Sequence, residues 1–522
     1  MLVIVLMEKK SKMTEEKFRK VSKIFTALAL LAGLCSLIVF IPQFRAFLIG
    51  LAENQMQMKL DTPHLLSKIN GAISTLELIF LASLCFFVFL LKLYGEILKS
   101  KLDAYAFFDS RLKKITTDEW LHFIPLAFFV LVLSAIHFCI AESGDDLFFS
   151  HALENASLWN FLKVRYNNWA SRLVIEAALV NSYKFHFGVW RFFDVAAFVL
   201  IAECLIAICF PKKRYASVVY AVILFFTDWY ALQTAGWGAT TVNYLWPLAC
   251  AMPFFVVAKA ILEDKSVSKL KIALSLLLLL FAVNQEQVVA LILGFSASFL
   301  AIHFVQNKKF QKTDIYFLII ILVCAASLAF TLTCPGNEKR FSDEVTSWFP
   351  EYTTVSLSEK MQLGIMTVFT YYFSKFGAWV LLPLCLILTY RFYKKSKKNF
   401  VIQVVLDSYI VLSVVTGFIK KDFLLVNDKL ARFSAHSEIA VLIECAVLLV
   451  AGLFLVYQII VAMADKLQGL LNALLLCAGF CSAFIIAFSP TVYSSGARCY
   501  LFMSYALFAV AFRIFYDGLD ND

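Results

Sequence analysis

KLKIALSLLLLLFAVNQEQVVALILGFSASFLAIHFVQNKKFQK, residues 269–312, is the stretch whose reading decides the fold. A helix needs about 20 apolar residues to cross roughly 30 Å of hydrocarbon. The run near 287–306 meets that length, and the run near 268–283 falls a little short of it. Lys269 and Lys271 flank one end, and Lys308, Lys309 and Lys312 flank the other. Basic residues favour the cytoplasmic side, so both flanks belong there and NQEQ (284–287) is the tip of a hairpin facing the opposite side.

The same alternation runs along the whole chain. Of 522 residues, 61% are hydrophobic and 16% charged, against about 25% charged in soluble domains. Apolar runs near 24–41, 72–93, 121–140, 188–210, 216–232 and 244–261 precede and follow charged clusters. Others fall near 315–333, 365–390, 401–419, 438–463, 469–488 and 499–515, which with the hairpin predicts about 14 spans. The expected fold class is therefore all-α, a polytopic transmembrane helical bundle.

Net charge is +10. It is gathered in every second loop rather than along one face, which excludes nucleic acid as a partner and puts the N-terminus in the cytoplasm. The 13 cysteines lie mostly in apolar runs without metal-ligand spacing and read as small buried hydrophobes. The opening MLVIVL is too short for a signal-peptide core. Residues 1–115 are expected to form an N-terminal helix pair with a basic cytoplasmic loop, and 116–522 the main membrane domain.

With parity set by the lysines, the polar loops fall on the outer side. The first, near 141–187, carries Asp145 and Asp146, adjacent carboxylates that repel, so one holds its proton to higher pH and can serve as a base. Arg165 and Arg172, seven residues apart, would share a face on one helix. With Tyr166 and Trp169 between them they suit an amphipathic segment in the interface. QTAGWGATTVNYLWP (233–247) offers Asn243, Tyr244 and Trp246 as hydrogen-bonding and aromatic groups for a sugar or polyprenyl chain. Glu286 in the NQEQ tip is costly there unless it meets water or a partner. Asn337 and Arg340 follow Pro335-Gly336, and His436 lies in a basic outer loop. Arg498 starts the last helix. Guanidinium groups suit phosphate best.

These motifs in this order resemble a bacterial family of multi-pass membrane proteins related to phage-type O-antigen glucosyltransferases. The matching features are Asp145-Asp146, Trp169-Ala-Ser-Arg172, Asn243-Tyr244-Leu245-Trp246, Pro335-Gly336-Asn337 with Arg340, and Ser489-Pro490-Thr491 with Arg498. The resemblance spans roughly 120–515. It implies a GT-C-like fold in the bacterial plasma membrane, and transfer of a sugar from a polyprenyl-phosphate donor to a cell-envelope glycan or lipid acceptor on the extracytoplasmic face. Carried over, Asp145 or Asp146 would be the base, and would hold a divalent Mg or Mn ion if one is used. Arg165, Arg172, Arg340 and Arg498 would meet the donor phosphate. Trp169, Asn243, Tyr244, Trp246, Glu286, Asn337 and His436 would contact substrate.

Two other functions fit the same compartment. A polymerase or ligase of lipid-linked glycans would also use outer arginines. A glycolipid transporter or flippase would use intramembrane charges, for which Glu77, Glu203, Asp407 and Glu444 are the candidates.

Overall fold

The computed structural model describes residues 118–185, 187–210, 215–263, 265–373, 375–418, 438–495 and 497–520. The expected helices near 24–41 and 72–93, Glu77, and the loop with His436 lie outside them. The described residues are mostly helical, with no strand among them. Among the described residues eight helices are long and apolar enough to span a membrane, or nine if one bent pair is a single span, so the chain is a multi-pass α-helical membrane protein.

The chain divides into two compact units. In the smaller, the described residues are α1 (Asp118–Cys139) and nearly all of α6 (Ala216–Phe226). Tyr220 of α6 stacks on Phe129 at 4.8 Å and hydrogen-bonds His122 Nε2 at 3.0 Å.

The larger unit holds the remaining helices. Three short ones, α2 (Asp146–His151), α3 (Leu158–Asn168) and α4 (Leu173–Phe185), fill the first expected outer loop. Then come α5 (Phe187–Cys209), α7 (Trp237–Leu262), α8 (Lys269–Ala282), α9 (Glu286–Asn307) and α10 (Asp314–Leu332). The polar stretch that follows Pro335 is largely α11 (Gly336–Trp348) and a 3-10 turn (Pro350–Thr353). Next are α12 (Leu357–Phe373), α13 (Lys375–Lys395), α14 (Lys397–Phe418), α15 (Glu438–Ala462), α16 (Lys466–Phe484) and α17 (Leu501–Asp520).

A helix stands at each position expected between 116 and 522, with three changes of shape, of which one is that the helix near 216–232 ends at Phe226. The run near 365–390, expected as one span, is α12 and α13 bent by 73°. α7 starts seven residues before the expected 244, because Gly236, not a polar loop, ends the preceding turn. α6, α8 and α14 are helical without meeting the length and hydropathy of a full span.

Local chemistry starts these helices where the sequence changes character. Ser157 accepts from Asn160 N (3.3 Å), Ser268 from Lys271 N (3.3 Å) and Asp465 from Leu467 N (2.9 Å), each satisfying an otherwise orphaned donor. Gln285 does so twice, for Gln287 N and Val288 N.

The candidate span of α17 is 78% buried and those of α5 and α7 are 61% buried, whereas that of α10 is only 22% buried. The first three are therefore central, and α10 shows apolar side chains such as Leu322 outward, as lipid contact requires. α5 and α7 are joined by Trp190 Nε1 donating to Thr241 Oγ1 (2.9 Å) and Trp246 Nε1 donating to Asp194 Oδ1 (2.7 Å).

At the other end of this unit, Arg391 of α13 donates to Asp517 Oδ2 of α17 (2.6 Å) and to the Ala462 carbonyl (3.0 Å), and Ala464 N donates to the same Asp517 oxygen (3.0 Å). Arg391 is 2% exposed, and removing one partner of such a pair costs about 3–5 kcal/mol, while an apolar replacement of both is often neutral. Arg391→Met is expected to lower the melting temperature in detergent clearly, and the double variant Arg391→Met, Asp517→Leu to regain most of the loss.

Candidate functional site

Residues 143–146 dock as a tight turn onto the start of α7. Gly144 (φ +57°) and Gly236 (φ +102°) both have left-handed backbones, which glycine adopts without strain. A Cβ on Gly236 would lie 2.2 Å from the Ser143 carbonyl oxygen and 2.7 Å from Asp146 Cγ, so the approach needs glycine. Asp145 N donates to the Ala235 carbonyl (2.8 Å). Asp146 Oδ1 accepts from Ala239 N (2.8 Å) and Oδ2 from Ser143 N (3.2 Å). The carboxylate thus caps a helix to which it does not belong, at the end where the helix dipole favours negative charge.

Asp146 is 0% exposed. Burial pushes its carboxyl above the usual carboxylate range, and the hydrogen bonds from Ala239 and Ser143 offset only part of that. The Tyr183 hydroxyl abuts it without a well-formed hydrogen bond, and its own ionisation is pushed upward by burial and by Asp146. Asp145 faces outward. The adjacent pair is therefore divided: one carboxylate is built into the fold and the other is available. Among the described residues no three His, Cys, Asp or Glu side chains gather as a metal site.

The arginines do not share a helix as expected. α3 ends at Asn168, and Arg172 lies beyond it, one residue before α4. Arg165 makes a two-pronged pair with Glu176 (2.6 and 2.7 Å). Arg172 reaches to the tip between α8 and α9, where Nη2 is 2.6 Å from Glu286 Oε2 and Nε lies 3.0–3.1 Å from both carboxylate oxygens. Arg340 pairs with Glu344 one turn on (2.7 Å). Trp169 takes Arg165 at 5.4 Å and Arg340 at 5.8 Å from its ring centroid, distances at which a guanidinium is attracted to an indole face. Arg498 makes no hydrogen bond or ion pair among the described residues.

Polar side chains and one close approach hold these pieces together. Gln287 Nε2 donates to the carbonyls of Ser482 (2.9 Å) and Cys499 (2.7 Å), tying the start of α9 to the segment that carries Arg498. Tyr244 Oη meets Cys499 Sγ at 3.7 Å, and lies within the electrostatic reach of both Arg172 and Arg498. Arg172 stays firmly protonated: burial disfavours its charge, but Glu286 outweighs this. Glu286 also feels Arg340. Gly336 lets α11 press on the end of α3, since a Cβ there would lie 2.3 Å from Trp169 N. Tyr244 is five residues along α7 from Ala239, which places the latch at Asp146 and the arginine cluster about 7.5 Å apart in axial rise.

The structure thus brings together Arg165, Trp169, Arg172, Tyr244, Glu286, Arg340 and Arg498 through ring, ion-pair and electrostatic contacts, with Asp146 at the start of the same α7. Asn243 and Trp246, expected in a loop, are inside α7, where Asn243 Nδ2 bonds the Ala239 carbonyl (2.8 Å) and Trp246 serves the contact to Asp194. Asn337 Nδ2 donates to the Thr331 carbonyl and closes the turn into α11. The sequence reading missed Glu176, Glu344 and Gln287. The four-residue spacing of Arg340 and Glu344 was a usable signal, whereas nothing local announces that Glu176 faces Arg165 or that Gln287 reaches residue 499. Compared with protein-family models, curated proteins and solved structures, the chain matches none.

Asp146→Asn, which keeps one of the two acceptor oxygens, is expected to lose only part of the capping energy. Asp146→Ala, which orphans the donors, is expected to cost about 1–3 kcal/mol. Thermal unfolding of the detergent-solubilised variants measures both; equal losses would remove the capping role.

Proposed function

We propose that the chain is a membrane glycosyltransferase that moves a sugar from a polyprenyl-phosphate donor to a cell-envelope glycan or lipid acceptor on the extracytoplasmic face of a bacterial plasma membrane, with a GT-C-like fold. The observation that carries this reading is the gathering of arginines from three distant segments: Arg172 and Arg340 act on Glu286, Arg172 and Arg498 act on Tyr244, and Arg340 lies over Trp169.

In the proposed reaction Asp145 accepts the proton of the acceptor hydroxyl. The acceptor oxygen attacks the anomeric carbon, the bond from that carbon to the phosphate oxygen breaks, and its electron pair leaves with the lipid phosphate. The departing phosphate gains a negative charge, and guanidinium groups fixed beforehand near it stabilise that change. Asp145 fills the role of base better than Asp146, since its carboxylate is exposed and Asp146 is committed to α7.

Charge balance favours this reading over a polymerase or ligase working from a lipid diphosphate. Arg165, Arg172 and Arg340 each face a glutamate, and Arg498 alone of the four lacks one among the described residues. A single uncompensated guanidinium suits a singly charged phosphodiester.

Asp145→Asn is expected to lower kcat at least a hundredfold with an unchanged melting temperature, and Arg498→Ala to raise KM for the donor more than it lowers kcat. Sugar transfer by the purified protein in nanodiscs, from a radiolabelled polyprenyl-phosphate sugar, measures both. Full activity in Asp145→Asn would remove the proposal, and product ladders rather than single additions would favour the polymerase.

A further inference from the structure

A buried arginine cannot shed its charge, so Arg172 must face an anion at every stage of any cycle in which it serves. Its side chain is 18% exposed and that of Glu286 is 28% exposed, so the pair is enclosed yet reachable. Glu286 has a second station. It lies in the first turn of α9, where the helix N-terminus favours a carboxylate by about 0.3–1 kcal/mol. Arg498 stands in the adjoining segment without a carboxylate among the described residues, and Gln287 locks that segment to the residue next to Glu286.

From this arrangement we propose that Glu286 is a placeholder anion: it occupies Arg172 until a lipid phosphate, drawn by Arg498, displaces it, and it returns to Arg172 to expel the product phosphate. The inference rests on the donor-phosphate reading above. It makes Glu286 a positioning residue that competes with the donor rather than a group that contacts the sugar. The exchange costs little because Arg172 trades one anion for another, while Glu286 swings toward the start of its own helix.

The test is equilibrium binding of a radiolabelled polyprenyl monophosphate to the full-length protein in nanodiscs of uncharged lipid, with inorganic phosphate in a parallel arm. Glu286→Gln is expected to lower the melting temperature, since Arg172 loses its partner, yet to tighten lipid-phosphate binding roughly tenfold, or ~1.4 kcal/mol. Glu286→Asp, which keeps the charge at shorter reach, is expected to tighten it by a smaller factor with little loss of stability. A purely structural pair would lose stability and affinity together, so binding that both variants leave unchanged or weaken overturns the placeholder. Absence of lipid-phosphate binding to the wild type and both variants overturns the donor-phosphate reading and the placeholder with it. Inorganic phosphate that binds as tightly as the lipid assigns the exchange to free phosphate and overturns its lipid form.

Discussion

A helix that ends at the rim of a bilayer leaves several N–H or C=O groups without partners, and in lipid no water is at hand to take them. Much of the polar chemistry at one end of the larger unit answers that shortage. Asp146 serves the start of α7, Gln285 the start of α9, Asn337 the end of α10, and Gln287 the carbonyls of residues 482 and 499. Each of these side chains is charged or carboxamide, and two of them, Asp146 and Gln287, tie together segments that come from different parts of the chain. The arginine cluster sits in the frame they make.

That dependence explains why stability and function are hard to separate by residue type alone. Asp145 and Asp146 are chemically the same and adjacent, yet one points to solvent and the other is consumed by a helix start. Arg165 and Arg498 are the same again, but the first is clamped by Glu176 and the second has no such clamp among the described residues. A glutamate opposite each of three arginines keeps the buried charges paired, which they need in a medium that cannot solvate them. The residual charge is then set by the one left over.

Much of the fold was legible beforehand because the bilayer reduces it to a question of run length. A helix stands at each position expected in the described part of the chain, though only eight, or nine if α12 and α13 form one span, have the length and hydropathy to cross a membrane, and the other errors concern polar stretches. QTAGWGATTVNYLWP was read as a loop for its glycines and amides; it is mainly the first turns of α7, because Gly236 supplies the break and the residues after it pack on α5. PGNEKRFSDE likewise hid α11, whose polar side chains face Trp169 and Glu344 as well as solvent. Which carboxylate meets which guanidinium was not legible, since those pairs join residues up to 114 positions apart with no local pattern to mark them.

The two bonds made by Gln287 bear on how the molecule is assembled. Its acceptors stand 195 and 212 residues later in the chain, so the tip between α8 and α9 enters the membrane with its amide unanswered and waits for the last two helices. Contacts of such long sequence separation form late. The layer of paired charges is accordingly the last part of the protein to mature, and a nascent chain that stops short of α17 would carry polar groups at the membrane surface with nothing to close over them, a natural mark for quality control.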